Sequence, residues 1–231
     1  MENEIHPIQA KILTKLLLNP DTRFTDLNVD GVESDHFNFH IKRLINLELI
    51  IKNEQGNYNL TPKGKEYANR FDTDKHKIER QAKIGMVIIG IKITDGKKQY
   101  LIQQRLKEPY YGFHGFVGGK VRWGETITEA GLRELYEETG MEADLSVAGV
   151  EHKMDYTESK DLLEDKFFFI LKAEHCLGDM VERFEGGANF WFTKEEIEKL
   201  DDLFPDVMTI LTIIEHNTLA FEEKKFTVNK Y

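Results

Sequence analysis

Apolar residues recur along this chain with two different periods, and the change from one to the other divides it. In the first part Ile8, Ile12, Leu13, Leu16 and Leu17 follow helical spacing, with Pro7 suited to a first turn and Asn19-Pro20 closing the segment. A short element is expected at 24–27. Phe37, Ile41, Leu44 and Ile45 then mark the apolar side of a further helix, for which Ser34 is the expected cap. Two short strands at 49–52 and 58–60, joined by the turn Glu54-Gln55-Gly56-Asn57, lead to a last helix that Thr61-Pro62 announces. Residues 73–80 are polar and lack apolar periodicity, as expected of a linker between a domain at 1–72 and one at 81–231.

Beyond the linker the short period dominates. Residues 82–94 are rich in Ile, Val and Met, Asp95-Gly96 is a hairpin turn, and 99–105 continues as a strand. Further strands are expected at 144–153, 166–173 and 189–192. Thr193 with Glu196 caps one helix, and Pro205 opens another that runs to about Asn217. The tail from 221 to 231 suits a strand or a loose terminus equally.

Between these strands lies the stretch with the most chemistry, residues 119–141, GKVRWGETITEAGLRELYEETGM. A glycine-rich turn at Gly118-Gly119 is expected to run into a helix capped by Thr126 and Glu129 and ended by a left-handed Gly140. At 3.6 residues per turn, Glu134, Glu137 and Glu138 fall at i, i+3 and i+4 on one face. Like charges so spaced cost an isolated helix about 0.2–0.5 kcal/mol per pair, so a cation is expected to neutralise them. Oxygen donors on an open face suit Mg²⁺ or Mn²⁺, and Mg²⁺ usually shares its coordination with substrate phosphates. A solvated acidic face is the plain alternative for an isolated E-x-x-E-E.

The surroundings of the cluster speak against that alternative. The stretch resembles the signature of the Nudix hydrolases, G-x5-E-x7-R-E-U-x-E-E-x-G-U with U aliphatic, at Gly119, Glu125, Arg133, Glu134, Leu135, Glu137, Glu138, Gly140 and Met141. The resemblance implies an α/β/α sandwich around a mixed β-sheet, and hydrolysis of the pyrophosphate bond of a nucleoside diphosphate linked to another group. It implies that Glu137 and Glu138 bind metal, and that Glu134 binds a second metal or activates water. Arg133 would orient Glu134 and pair with Glu125, and the Gly118 carbonyl would be a further ligand. Glu185 is the chosen carboxylate from a later loop, with Glu151, Asp155, Glu158, Glu164 and Asp165 as rivals. His114 and Val117 replace a tryptophan and a proline that family members commonly carry before the Gly-Gly. The lack of proline between Gly140 and Phe204 argues against the ADP-ribose subgroup. Tyr110, Tyr111, Phe113, Trp123, Tyr156 and Phe190 are candidates for stacking on a base.

The first part is similar to a winged helix-turn-helix domain, so the fold class expected is α+β. In that reading the helix from Ser34 would enter the major groove of double-stranded DNA, with His36, Asn38, Lys42 and Arg43 as contacts and Lys52, Lys63 and Lys65 beside the wing. The alternatives are an ordinary solvated face and a surface that pairs two copies of the chain. Regulators that join these two folds form a class, so a nucleotide-sensing transcription factor is the competing function.

Charge and composition narrow these readings. Residues 1–80 hold 12 Lys+Arg against 13 Asp+Glu and the remainder 19 against 28, so the acidic second part suits metal binding and would repel a nucleic-acid backbone. Cys176 is the single cysteine, which excludes an internal disulfide and points to a reducing cytoplasm; it reads as a small apolar residue, not a nucleophile. No apolar run approaches 18 residues and no signal peptide is seen, so no membrane role is expected.

Overall fold

The computed structural model describes residues 5–28, 31–72, 77–78, 80–216 and 219–229. The chain forms two compact units, Met1–Arg80 and Gln81–Tyr231.

In the first unit α1 (Pro7–Leu18), α2 (Phe24–Leu27), α3 (Ser34–Asn46) and α4 (Pro62–Ala68) enclose one core with the strands β1 (Ile50–Lys52) and β2 (Tyr58–Leu60). Its centre is Ile12, Leu13, Leu16, Phe37, Ile41 and Leu44, which helical spacing assigned inward, together with Leu27; of the other positions so assigned, Ile8 and Leu17 are partly buried and Ile45 is exposed. The antiparallel hairpin β1–β2 pairs Ile50 with Leu60. Thr61 caps α4 by accepting from the Gly64 amide at 2.9 Å, with Pro62 at the first helical position. Ser34, expected as a cap, is instead the first residue of α3; the cap position belongs to Glu33, which makes no side-chain capping bond. Glu48 takes a left-handed φ of 59° between α3 and β1, a conformation more often given to glycine. The polar span 73–80 falls partly outside the described residues, and within it β4 (Lys77–Ile78) pairs antiparallel with β3 (Phe71–Asp72).

The second unit is built on a mixed nine-stranded sheet. β5 (Lys83–Thr94) and β6 (Lys97–Arg105) form a hairpin whose turn residues Asp95 and Gly96 both have positive φ. The strands β7 (His114–Gly115) and β8 (Val117–Lys120) pair with β6 and β5 respectively. After α5 (Ile127–Thr139) come β9 (Glu142–Tyr156), β10 (Leu162–Leu177), β11 (Arg183–Phe184) and β12 (Gly187–Phe192). The chain ends with α6 (Lys194–Ile197), α7 (Val207–His216) and β13 (Ala220–Thr227). Strand order is β11-β12-β6-β5-β10-β9-β13, with β10 parallel to β5, β13 parallel to β9, and the other neighbours antiparallel.

Alternation along the central strands feeds two cores. Met86, Ile88, Leu101, Leu171 and Ala173 point toward α5 with its Ala130 and Leu135. Ile89, Tyr100, Ile102 and Ile170 face the other way, against Val207, Ile210, Leu211 and Ile214 of α7. The sheet is thereby covered on both faces. The ambiguous tail is a strand as far as Thr227; Tyr231 and the expected helix end at Asn217 lie outside the described residues.

Candidate active site

The helix α5 is set by the residues that mark its ends. The Thr126 hydroxyl accepts from the Glu129 amide while the Glu129 carboxylate accepts from the Thr126 amide, and Gly140 closes the helix at φ 70°. The expected turn at Gly118-Gly119 is not one. Both glycines lie in β8, paired across to Val87 and Met86, and the chain turns later, through Gly124 at φ 88°. Their lack of a side chain serves close approach. A Cβ on Gly118 would come within 2.6 Å of the Met86 carbonyl oxygen, and one on Gly119 would fall inside the carboxyl group of Glu134.

Arg133 binds this corner together. Its Nε and one terminal nitrogen donate to the two oxygens of Glu125 at 2.6 and 2.9 Å, a bidentate pair. The other terminal nitrogen donates to Glu134 Oε1 at 2.6 Å and Glu137 Oε2 at 3.3 Å, while the nitrogen shared with Glu125 also donates to the Lys120 carbonyl at 3.2 Å. The loop and the helix are joined through one guanidinium. Arginine and the Arg122 amide together hold Glu125 far below the usual carboxylate range, at a pKa of about 2.

A depressed carboxylate stabilises the folded state above its unfolded pKa, and that contribution is lost as pH falls through the folded value. Acid unfolding should therefore carry a Glu125 component between about pH 4.5 and 2. Melting temperatures of Glu125→Gln and the parent, compared at pH 7 and at about pH 2 or below, check this: the gap should be wide at pH 7 and nearly closed in acid.

The three helix glutamates have different partners. Glu134 lies against Gly119, and Glu137 is half exposed, 3.5 Å from Arg122. Glu138 is 8 % exposed; its Oε2 accepts from Gln103 Nε2 at 3.0 Å, and Lys107 Nζ stands 3.7 Å from Oε1. Burial pushes the Glu138 carboxyl above its ordinary value, partly opposed by Gln103 and Lys107. Asn189 Nδ2 donates to the Glu138 carbonyl at 2.8 Å, and Asn189 Oδ1 accepts from Gln103. Gln103, Lys107 and Asn189 were not singled out from the sequence, where nothing distinguishes Gln103 and Asn189 from other polar strand residues or Lys107 from other loop lysines.

Among the described residues no three carboxylate, imidazole or thiol groups converge as a metal-holding set. One terminal nitrogen of Arg133 holds Glu134 and Glu137 together, while Gln103 and Lys107 engage Glu138 separately. The donors nevertheless fit a hard divalent cation in kind, being carboxylates beside a strand stripped of side chains. Glu185 is exposed at the turn between β11 and β12, without a bond to the helix glutamates among the described residues.

A cavity of about 410 Å³ opens from Gly118 and Gly119. Its walls include Tyr110, Phe116, Phe168 and Phe204, and its charged lining includes Lys83, Lys153, Asp155, Glu164, Lys166 and Asp206, with Arg105, Glu108 and Lys120 also on it. Of the aromatics expected to stack on a base, Tyr110 lines this cavity and Phe113 packs on its ring at 5.7 Å. Trp123 is 95 % exposed on the loop before α5, and Phe190 stacks on Phe192. In the first unit Lys42 and Arg43 are exposed on α3, Asn38 is half-buried, and His36 Nε2 stands 3.1 Å from His40 Nε2.

The NUDIX domain model matches residues 85–210, more than half of the chain. The chain belongs to the Nudix family. It is 36 % identical over 95 residues to the oxidized purine nucleoside triphosphate hydrolase of Mus musculus, covering 41 % of this chain and 56 % of that relative's length. It is 35 % identical over 119 residues to an uncharacterized Nudix hydrolase of Listeria monocytogenes, covering 49 % of this chain and 67 % of the relative. A MutT protein from Bacillus halodurans superposes with a TM-score of 0.54 at 23 % identity, over 64 % of this chain and 93 % of that one. The NUDIX domain of Shewanella oneidensis NrtR, solved with ADP ribose, gives 0.52 at 15 % identity, over 65 % and 96 %. These two likenesses show the mixed α+β Nudix fold of the second unit. Among the described residues no helix is long and apolar enough to cross a membrane.

The Nudix corner yields a test of its own. In Gly119→Ala the new methyl meets the far end of a side chain, so the fold should survive with a melting temperature near the parent's. The Glu134 carboxylate has to move, and kcat of the hydrolysis proposed below should fall about 10²-fold, the effect a misplacement near 1 Å can have.

Proposed function

We propose that the protein is a Nudix pyrophosphohydrolase, dependent on Mg²⁺ or Mn²⁺, that splits a nucleoside diphosphate derivative into two phosphate esters. The observation that carries this reading is the Arg133 clamp. One guanidinium fixes Glu125 and Glu134 against a side-chain-free strand at the mouth of a cavity large enough for a nucleoside. Glu137, Glu138 and the Gly118 carbonyl are the proposed metal ligands, with Arg133 and Glu134 in the catalytic set. When bound, the cation supplies charge neutralisation at the diphosphate oxygens and lowers the pKa of a water.

The chain's own residues do the rest. Arg133 holds Oε1 of Glu134, which leaves Oε2 to accept the proton of the attacking water. Gly118 and Gly119 let the diphosphate approach the backbone, and the aromatic walls exclude solvent from the nucleoside. The mouse relative's name supports a nucleoside triphosphate as one form of the substrate. The order helix, short helix, helix, hairpin, helix in Met1–Arg80 supports an accessory winged helix at 1–72, followed by the linker 73–80 and the Nudix domain 81–231. No observation favours the regulatory alternative. A panel of nucleoside di- and triphosphate derivatives, assayed for phosphate or nucleotide release with Mg²⁺ and with EDTA, tests the proposal; no EDTA-sensitive release from any member would sink it.

A further inference from the structure

The inward face of β9 is charged where an apolar one is usual. Glu151, Lys153 and Asp155 follow one another at every second position and are buried, Asp155 at 1 % exposure. Part of this charge is answered inside the protein, though both carboxylate oxygens of Glu151 are buried without a hydrogen-bond partner among the described residues. Lys153 Nζ donates to Asp206 Oδ1 at 2.9 Å, and Lys83 Nζ to Glu164 Oε2 at 2.6 Å. Asp155 is answered on one side: its Oδ2 accepts from the Tyr110 hydroxyl at 2.7 Å, while Oδ1, equally buried, has no partner among the described residues. An acceptor held so in a low-dielectric wall is costly unless something donates to it.

The cavity supplies the place for that donor. Asp155 lines the same space as Gly118 and Gly119, between the rings of Tyr110, Phe168 and Phe204. Lys166 Nζ lines it too, with its nearest carboxylate oxygen, Glu164 Oε2, 3.7 Å away and the Tyr110 ring at 5.7 Å. An ionised carboxylate offers acceptor sites and no donor, and an ammonium offers donors and no acceptor. Together they ask for a flat ligand with two adjacent N–H groups beside a carbonyl. Guanine has that edge: N1–H and the N2 amine for the carboxylate, O6 for the lysine. Adenine and cytosine would turn a ring-nitrogen lone pair toward the carboxylate, and uracil would flank its single N–H with carbonyl oxygens.

We propose that Asp155, with Lys166 beside it, is the base-reading residue of this cavity and selects guanine nucleotides. The proposal deepens the hydrolase reading and rests on it for the use of the cavity. Tyr110 is a positioning residue, since its hydroxyl fixes the Asp155 carboxylate from behind.

Two measurements separate this proposal from the hydrolase reading. The first is hydrolysis of GTP, ITP, ATP, CTP and UTP with Mg²⁺. GTP should lead ATP, CTP and UTP by at least about 10-fold in kcat/KM, mostly through KM, with ITP, which lacks the N2 amine, between. The second is calorimetric binding of GMP and AMP in EDTA, which needs neither metal nor chemistry; GMP should bind about 10-fold tighter. Asp155→Ala should erase both preferences, and Tyr110→Phe should weaken them without abolishing them. Hydrolysis that ignores the base overturns the guanine assignment and leaves the hydrolase standing. Selective GMP binding without hydrolysis does the reverse. Absence of both defeats the two together. If Asp155→Ala does not fold, the parent's own base panel decides.

Discussion

Replacing Glu138 by glutamine is expected to lower metal-supported hydrolysis by about 10²–10³-fold without loosening the fold. Glutamine keeps the shape and the oxygen that accepts from Gln103, and it removes the charge a cation would bind. The stability side follows from burial, which raises the Glu138 pKa above its unfolded value of 4.5. An acid shifted upward favours the folded state at low pH, and that advantage disappears as pH climbs from the unfolded value through the folded one. In the metal-free protein at pH 7 the ionised carboxylate is therefore a burden that glutamine lacks. In EDTA at pH 7 the variant should melt at or above the parent, and below pH 4 the difference should vanish or reverse. Retained activity would remove Glu138 from the proposed machinery; a lower melting temperature in EDTA would show its charge to be structural.

The second large effect is expected at Arg133. Its removal leaves Glu125, Glu134 and Glu137 without the cation that separates and orients them, and it frees the loop before α5 from the helix. Arg133→Ala should cost about 10²-fold in kcat/KM through misplacement of Glu134. Arg133→Lys should rescue little, because an ammonium cannot make the two-point contact to Glu125 while also reaching Glu134. Titration of Glu125 by NMR gives an independent reading: its pKa, about 2 in the parent, should climb back toward 4.5 in Arg133→Ala. A variant with normal kinetics and an unmoved Glu125 would remove Arg133 from its central place.

The parts of this fold that were legible were those whose local chemistry has one solution. A capping box at Thr126 and Glu129 with a glycine at 140 leaves little but a helix between them, and Asp95-Gly96 between apolar alternations leaves little but a hairpin. Adjacent glycines carry no such restriction. Gly118 and Gly119 read as a turn, yet their φ angles are ordinary, and their smallness is used by Met86 and Glu134 from elsewhere in the chain. β9 ran past its expected end at Lys153 because buried charge broke the apolar alternation that marks a strand. The cavity was illegible for a related reason. Tyr110, Asp155, Lys166 and Asp206 come from four separate segments, and only the folded unit makes them neighbours.

That last arrangement separates two tasks along the chain. The proposed hydrolytic corner is written almost entirely in one uninterrupted stretch of 23 residues, whereas the walls of the cavity are contributed by strands and loops on either side of it. Substitutions at β9, β10 or the approach to α7 can thus reshape the cavity while the 23-residue stretch stays as it is. On the proposed function, such a scaffold lets new preferences be tried by point mutation without touching the residues assigned to bond breaking.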